Sequence, residues 1–140
     1  MTFTLNKVVI AINHGADCIL RSRFDLTYSQ FLFLLSLRRE RKNLTEVAHW
    51  LGVSTAAVSK RAPWFEERGL VKQHSDPDHA RKVLLSLTAS GRSLVDRAST
   101  VLEAEFTRMF ANVADVDLKQ LNLDLNRVLT HLSSESTETA

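Results

Sequence analysis

Residues 43–87 constrain this chain more than any other stretch. Asn43 is placed to cap a helix over 44–51, and Glu46 stands three residues on, the spacing of a reciprocal capping box. Gly52 follows, a residue type that enters a left-handed turn without steric penalty. Ser54 then caps a second helix that starts at Thr55, runs to about Arg68 and ends at Gly69. Two helices joined by a short glycine-containing turn form a helix-turn-helix, whose second helix is shaped to enter a DNA major groove. Two further runs, 70–74 and 82–87, flank Asp76-Pro77-Asp78, a strong turn signal, and predict a hairpin that serves as a wing.

The flanking segments read as helices. Leu5, Val8, Val9, Ile12, Ala16, Ile19 and Leu20 follow a helical rhythm over 5–21. Thr27 caps a helix over 28–37, apolar nearly all round and therefore central. Arg38-Arg39-Glu40-Arg41-Lys42 is a basic loop leading into the helix-turn-helix. Thr88 caps a long helix to about residue 113, and Asp115 or Asp117 caps a last one. The tail 133–140, polar and small, is expected to fray.

A winged helix-turn-helix needs only the middle of the chain for its core, so the apolar stripes of the terminal helices must bury elsewhere. A second copy is the economical partner. The expected architecture is mostly α with a small β-hairpin wing. It divides into an N-terminal dimerisation helix at 1–26, a winged helix-turn-helix at 27–92, and C-terminal dimerisation helices and tail at 93–140. Two-fold symmetry would set the recognition helices about 34 Å apart, matching a pseudo-palindromic DNA site.

Composition agrees with these expectations. Of 140 residues, 44% are hydrophobic, too many for a largely disordered chain. Residues 1–92 carry 14 Lys or Arg against 8 Asp or Glu, whereas residues 93–140 carry 4 against 8. A basic front half suits phosphate contact. No apolar run approaches the roughly 20 residues of a membrane span, and the first residues lack a signal-peptide pattern. With a single cysteine, Cys18, the expected setting is the reducing cytoplasm. No phosphate-binding glycine loop, nucleophile elbow or His-Glu-x-x-His occurs, so neither enzyme chemistry nor a cofactor is expected.

The chain resembles the MarR family of bacterial transcription regulators. The resemblance runs through Leu26-Thr27-Tyr28-Ser29-Gln30-Phe31, Leu44-Thr45-Glu46-Val47-Ala48, Leu51-Gly52-Val53-Ser54 and Val58-Ser59. It continues through Phe65-Glu66-Glu67-Arg68-Gly69-Leu70-Val71, Asp76-Pro77-Asp78, Arg81 and Leu87-Thr88-Ala89-Ser90-Gly91, and rests on their order and spacing. It implies a cytoplasmic winged-helix homodimer that represses genes. It also implies release from DNA when a small aromatic or phenolic effector binds or a cysteine is oxidised. Two features depart from the family pattern. His79 and Ala80 stand where an acidic residue and an arginine are usual, and Pro63 lies inside the recognition helix, predicting a kink at 62–64. They leave a second reading open, a protein-interaction module or antirepressor on the same scaffold.

Ser54, Thr55, Ala56, Ser59, Lys60 and Arg61 are the candidate DNA contacts on the cap and early turns of the recognition helix. Ser and Thr hydroxyls hydrogen-bond base edges, Ala56 suits a thymine methyl, and Lys60 or Arg61 suits guanine or phosphate. Ser54 and the helix N-terminus offer amides to a phosphate. Arg81 at the wing tip suits the minor groove. Ala57, Val58, Ala62 and Phe65 should face inward. His14 and Trp50 are candidate effector-pocket residues, with Trp50 and Trp64 read as core or lining. Cys18 is the candidate redox residue, weighed against an inert, semi-buried cysteine. His74, Asp76, Asp78 and His79 cluster in the wing, but their spacing matches no zinc signature, and no metal is assigned.

Overall fold

Local capping sets where most helices of this computed structural model begin. The structure describes residues 1–79 and 81–138, and it divides into two units, residues 1–102 and 103–140. The elements run α1 (Thr2–Phe24), α2 (Tyr28–Ser36), β1 (Lys42–Asn43), α3 (Leu44–Leu51), α4 (Thr55–Glu67), β2 (Val71–Ser75), β3 (Val83–Leu87), α5 (Ala89–Phe110) and α6 (Leu118–Glu138). Full capping boxes open α2, from Thr27 with Gln30, and α3, from Asn43 with Glu46. Asp25, with φ 53°, sits in the left-handed region at the end of α1, and Gly52, with φ 67°, turns the chain from α3 toward α4.

The first unit is built around Leu20, Phe33, Leu34, Leu37, Val47, Val58, Phe65, Leu85 and Val95, all fully buried. They come from six different elements, so each helix contributes only a few core positions. The Phe33 and Phe65 rings stack with centroids 4.2 Å apart and planes 14° from parallel, joining α2 to α4. The three strands form an antiparallel sheet in the order β1-β3-β2. In its register Val71 pairs with Leu87 and Ser75 with Val83, while Lys42 pairs with Leu85.

Asp17 ties α1 to the start of α2. Its Oδ1 accepts the Tyr28 backbone N–H at 2.8 Å, and its Oδ2 accepts Arg21 Nε at 2.5 Å. The Tyr28 amide, then the Arg21 hydrogen bond, hold its carboxyl below the ordinary value of 3.8. Thr88 closes the junction between wing and α5. Its hydroxyl donates to the Gly69 carbonyl at 2.6 Å and accepts the Gly91 N–H at 3.0 Å.

Several expectations change. The basic loop ends in a strand, β1, because Lys42 and Asn43 pair with Leu85 and Leu84 far along the chain. The first helix extends beyond 5–21 at both ends. The tail expected to fray is helical as far as Glu138, and 139–140 lie outside the described residues. Trp50 is not a core residue, being 47% exposed. Asp117, not Asp115, caps α6: its side chain accepts the Gln120 N–H at 3.0 Å.

In the second unit α6 carries its apolar residues on the surface, Leu129 at 62% exposure among them. The N-terminal half of α1, in the first unit, does the same, with Phe3 at 86%. No helix among the described residues is long and apolar enough to cross a membrane.

Two glycines should respond to the same substitution for different reasons. A Cβ on Gly91 meets the Leu70 carbonyl oxygen at 2.0 Å, a backbone atom that cannot rotate away. Gly91→Ala is therefore expected to lose at least about 1–3 kcal/mol in urea denaturation, the usual cost of overpacking. Gly52 has open space but a positive φ, so Gly52→Ala should lose about 1–2 kcal/mol through backbone strain alone. Asp17 gives a pH signature. Because its folded value is depressed, its stabilisation is present above pH 3.8 and disappears as pH falls through the lower folded value. Acid unfolding of Asp17→Asn should show a shallower loss of stability in that window than the parent chain; an unchanged slope would refute this assignment.

Candidate nucleic-acid interface

α4 is held by one face and presents the other. Val58, Ala62 and Phe65 are buried one helical turn apart, and Ala57 is half-buried beside them. Ser54, Thr55, Ala56, Ser59 and Lys60 are all exposed. Ser54 caps the helix, its hydroxyl accepting the Ala57 N–H at 3.1 Å. The exposed stripe thus begins at a capped N-terminus, where amide dipoles favour anions. Beyond the cap it displays the hydroxyls of Thr55 and Ser59, the Ala56 methyl and the Lys60 ammonium.

Arg61 is placed differently from its neighbours. Its guanidinium donates to the Ser29 carbonyl at 3.0 Å and the Ser29 hydroxyl at 2.8 Å, and lies 5.7 Å from the Phe33 ring centre. In this arrangement it clamps α4 to α2. A single guanidinium nitrogen, Nη2, serves both acceptors, a pairing that spacing along a helix does not reveal. Arg68 near the end of α4 lies over Trp64, 3.8 Å from its ring centre.

The wing turn is built by its own backbone. Asp76 Oδ1 accepts the Asp78 N–H at 2.9 Å, and the Lys82 N–H reaches the His79 carbonyl at 2.8 Å. His74 lies 2.7 Å from Ser86 Oγ, across the strands. Ala80 lies outside the described residues. Arg81 is exposed on this turn. No group of three or more metal-ligating side chains occurs among the described residues.

Between α3, the first residue of α4 and the wing lies an open cleft of about 730 Å³. It is lined by Lys42, Glu46, His49, Trp50, Thr55, Arg81 and Lys82 among others. Trp50, Thr55 and Arg81 are candidate site residues by sequence, and Lys42 belongs to the basic run that suits sequence-independent attraction to phosphate; Glu46, His49 and Lys82 are brought there by the fold. His14 does not join Trp50: it sits on α1, its Nε2 3.7 Å from Cys18 Sγ. Cys18 is exposed in this chain, not semi-buried. The basic run splits, with Arg38 Nε paired to Asp96 at 2.8 Å and Lys42 to Glu40 at 2.9 Å.

No family model matches the chain. Among curated proteins it is 30% identical over 95 residues to YdcH, an HTH-type transcriptional regulator of Bacillus subtilis, covering 64% of this chain and 65% of that one. YhbI, a second such regulator of Bacillus subtilis, is 27% identical over 77 residues, 54% of this chain and 50% of its own. The chain therefore spans between half and two thirds of the curated relatives it matches. Solved structures match along nearly the whole length. A MarR-family regulator of Rhodococcus sp. RHA1 superposes with a TM-score of 0.80 at 26% identity, covering 91% of this chain and 90% of that one. BldR of Sulfolobus solfataricus gives 0.82 at 23% identity, with coverages of 93% and 92%. The repressor CouR, bound to a 23-mer DNA duplex, gives 0.74 at 21%, with coverages of 97% and 92%. The capped helix-turn-helix, the three-stranded wing and these relatives agree: the chain has the winged helix-turn-helix fold of the MarR-family regulators and is similar in sequence to HTH-type transcriptional regulators.

Proposed function

We propose that this chain is a homodimeric, sequence-specific DNA-binding repressor that occupies a pseudo-palindromic promoter site. One observation carries the reading: the polar stripe of α4 is exposed while the opposite face is locked in the core. A rigid helix with a capped, amide-bearing N-terminus and short polar side chains matches the chemistry of major-groove base edges. CouR, which shares the fold, is bound to a 23-mer DNA duplex, and this supports reading the chain as a DNA-binding protein. Thr55, Ala56, Ser59 and Lys60 read bases in this account, Ser54 meets phosphate, and Arg81 enters the minor groove. Arg61 contributes by fixing the helix, and reaches DNA only by releasing Ser29.

The second copy explains the uncovered apolar residues of α1 and α6. Phe3, Val9 and Ile10 in one helix and Leu125, Leu129 and Leu132 in the other are exposed in the single chain. Burying such faces against an identical chain removes them from water and yields paired recognition helices. A small aromatic or phenolic effector then controls the site by binding one spacing of these helices better than another.

Purified protein titrated against the DNA upstream of its own gene tests the reading. Affinity is expected to fall about a thousandfold between 50 and 200 mM salt, as for six or more phosphate contacts. Lys60→Ala should weaken the specific site about tenfold or more while changing binding to random DNA far less, and Arg81→Ala should weaken both. Salt-independent binding, or no binding, would sink the proposal. For the dimer, Leu129→Glu combined with Val128→Glu should convert a two-chain mass to a one-chain mass in light scattering. A parent chain that is already monomeric at micromolar concentration refutes the two-fold arrangement.

A further inference from the structure

The wing leaves α4 through Arg68, Gly69 and Leu70, and it hands the chain on through Thr88, the residue between β3 and α5. These two crossings meet. The Thr88 hydroxyl donates to the Gly69 carbonyl at 2.6 Å and accepts the Gly91 N–H at 3.0 Å. The Thr88 N–H donates to the Leu70 carbonyl at 3.0 Å, one residue before the first rung of the hairpin, Val71 against Leu87. Gly91, where a Cβ would lie 2.0 Å from that same carbonyl, lets the first turn of α5 close onto it. On the α4 side, the Gly69 and Leu70 N–H groups donate to the Glu66 and Phe65 carbonyls, each at 2.9 Å. One hydroxyl therefore ties together the exit of α4, the base of the wing and the start of α5. A hydroxyl suits this place because it has a proton to give and lone pairs to receive.

The join acts where a hairpin would swivel. The sheet is also held at its middle, where Leu85 is buried and pairs with Lys42, and by an exposed side-chain bond from Gln73 to Glu66. At the base stands Gly69, with φ 65° and the backbone freedom of a residue that lacks a side chain. From the first rung to the last, Ser75 against Val83, the strands rise about 13 Å. A swing of about 10° at the base displaces the far end by about 2 Å, whereas a hydrogen bond tolerates about 0.5 Å. Arg81 lies beyond that end, on the wing turn, and moves at least as far.

We propose that Thr88 is a positioning residue for DNA binding: its hydroxyl holds the wing at the tilt that lets Arg81 reach the duplex while α4 occupies the major groove. Thr88 itself touches no nucleic acid. This rests on the DNA-binding reading above and adds to it a residue outside the reading surface. By residue type Thr88 is the cap of α5; its tie to Gly69, 19 residues back, forms only in the fold.

A double-mutant cycle on the full chain tests this, read as affinity for a labelled 25-base-pair duplex of random sequence at about 50 mM salt. Every variant is assayed at a temperature where circular dichroism shows it folded. Thr88→Val removes the hydroxyl at nearly constant shape. Thr88→Asp keeps an acceptor for the Gly91 N–H but has no proton for Gly69, which separates the tie from the cap. Thr88→Ser keeps both bonds. Leu102→Ala, about 20 Å further along α5, loosens the same unit without touching the wing. Arg81→Ala is expected to weaken the parent about fivefold or more. In the Val and Asp backgrounds it should cost less than about twofold, because the arginine has already lost its place. In the Ser and Leu102→Ala backgrounds it should cost as much as in the parent. A parent chain without salt-dependent binding would remove the DNA reading and this inference together. Salt-dependent binding in which Arg81→Ala costs the same in Thr88→Asp as in the parent, or costs the parent nothing, would overturn the inference and leave the DNA reading standing.

Discussion

The stacked pair Phe33 and Phe65 orients the element on which the proposed activity depends. α4 is short and mostly polar, and only Val58, Ala62 and Phe65 are buried in it. Three positions give a helix too narrow an apolar stripe to define its rotation sharply. Two flat rings 4.2 Å apart restrict that rotation, because sliding or tilting either ring opens a gap in a close-packed core. Arg61 reinforces the orientation from the side through Ser29. The result is that Thr55, Ala56, Ser59 and Lys60 reach solvent together.

Pro63 belongs to the same economy. Proline removes one helical hydrogen bond and costs about 3 kcal/mol in a regular helix interior. It lies on the exposed side of α4, where water can serve the Ser59 carbonyl left without its helical partner, and beyond the stripe assigned to DNA. The core contacts on either side of it, at Ala62 and Phe65, keep the helix continuous. A local defect is thus tolerated because tertiary packing outweighs it.

Legibility followed the range of the interaction. Asn43 with Glu46, Thr27 and Ser54 act within three residues, and their caps form as the residue types predict. Gly52 needs only its own backbone freedom, and it adopts the left-handed turn expected of it. β1 was invisible because two residues carry no alternation, and their pairing with Leu84 and Leu85 is closed by distant chain. By sequence Arg61 suits guanine or phosphate; its partner in the fold, Ser29, lies 32 residues away. Trp50, near the end of α3, suits core or lining by residue type, yet its placement on that helix leaves it half in water. The terminal helices showed the reverse case. Their stripes were legible, and the single chain leaves them uncovered, as an interface needs.

What the residues determine alone is the order of the helices, the capped starts of α2, α3 and α4, the turn between α3 and α4, and the hairpin signal of Asp76-Pro77-Asp78. These depend on dihedral preferences and hydrogen bonds that close within a few residues. Tertiary structure alone decided which side of α4 faces out, which cations remain free of partners, and that Lys42, His49, Trp50 and Lys82 border one cleft with Thr55 and Arg81. Those outcomes depend on contacts between segments tens of residues apart, and such contacts exist only after the chain has closed on itself.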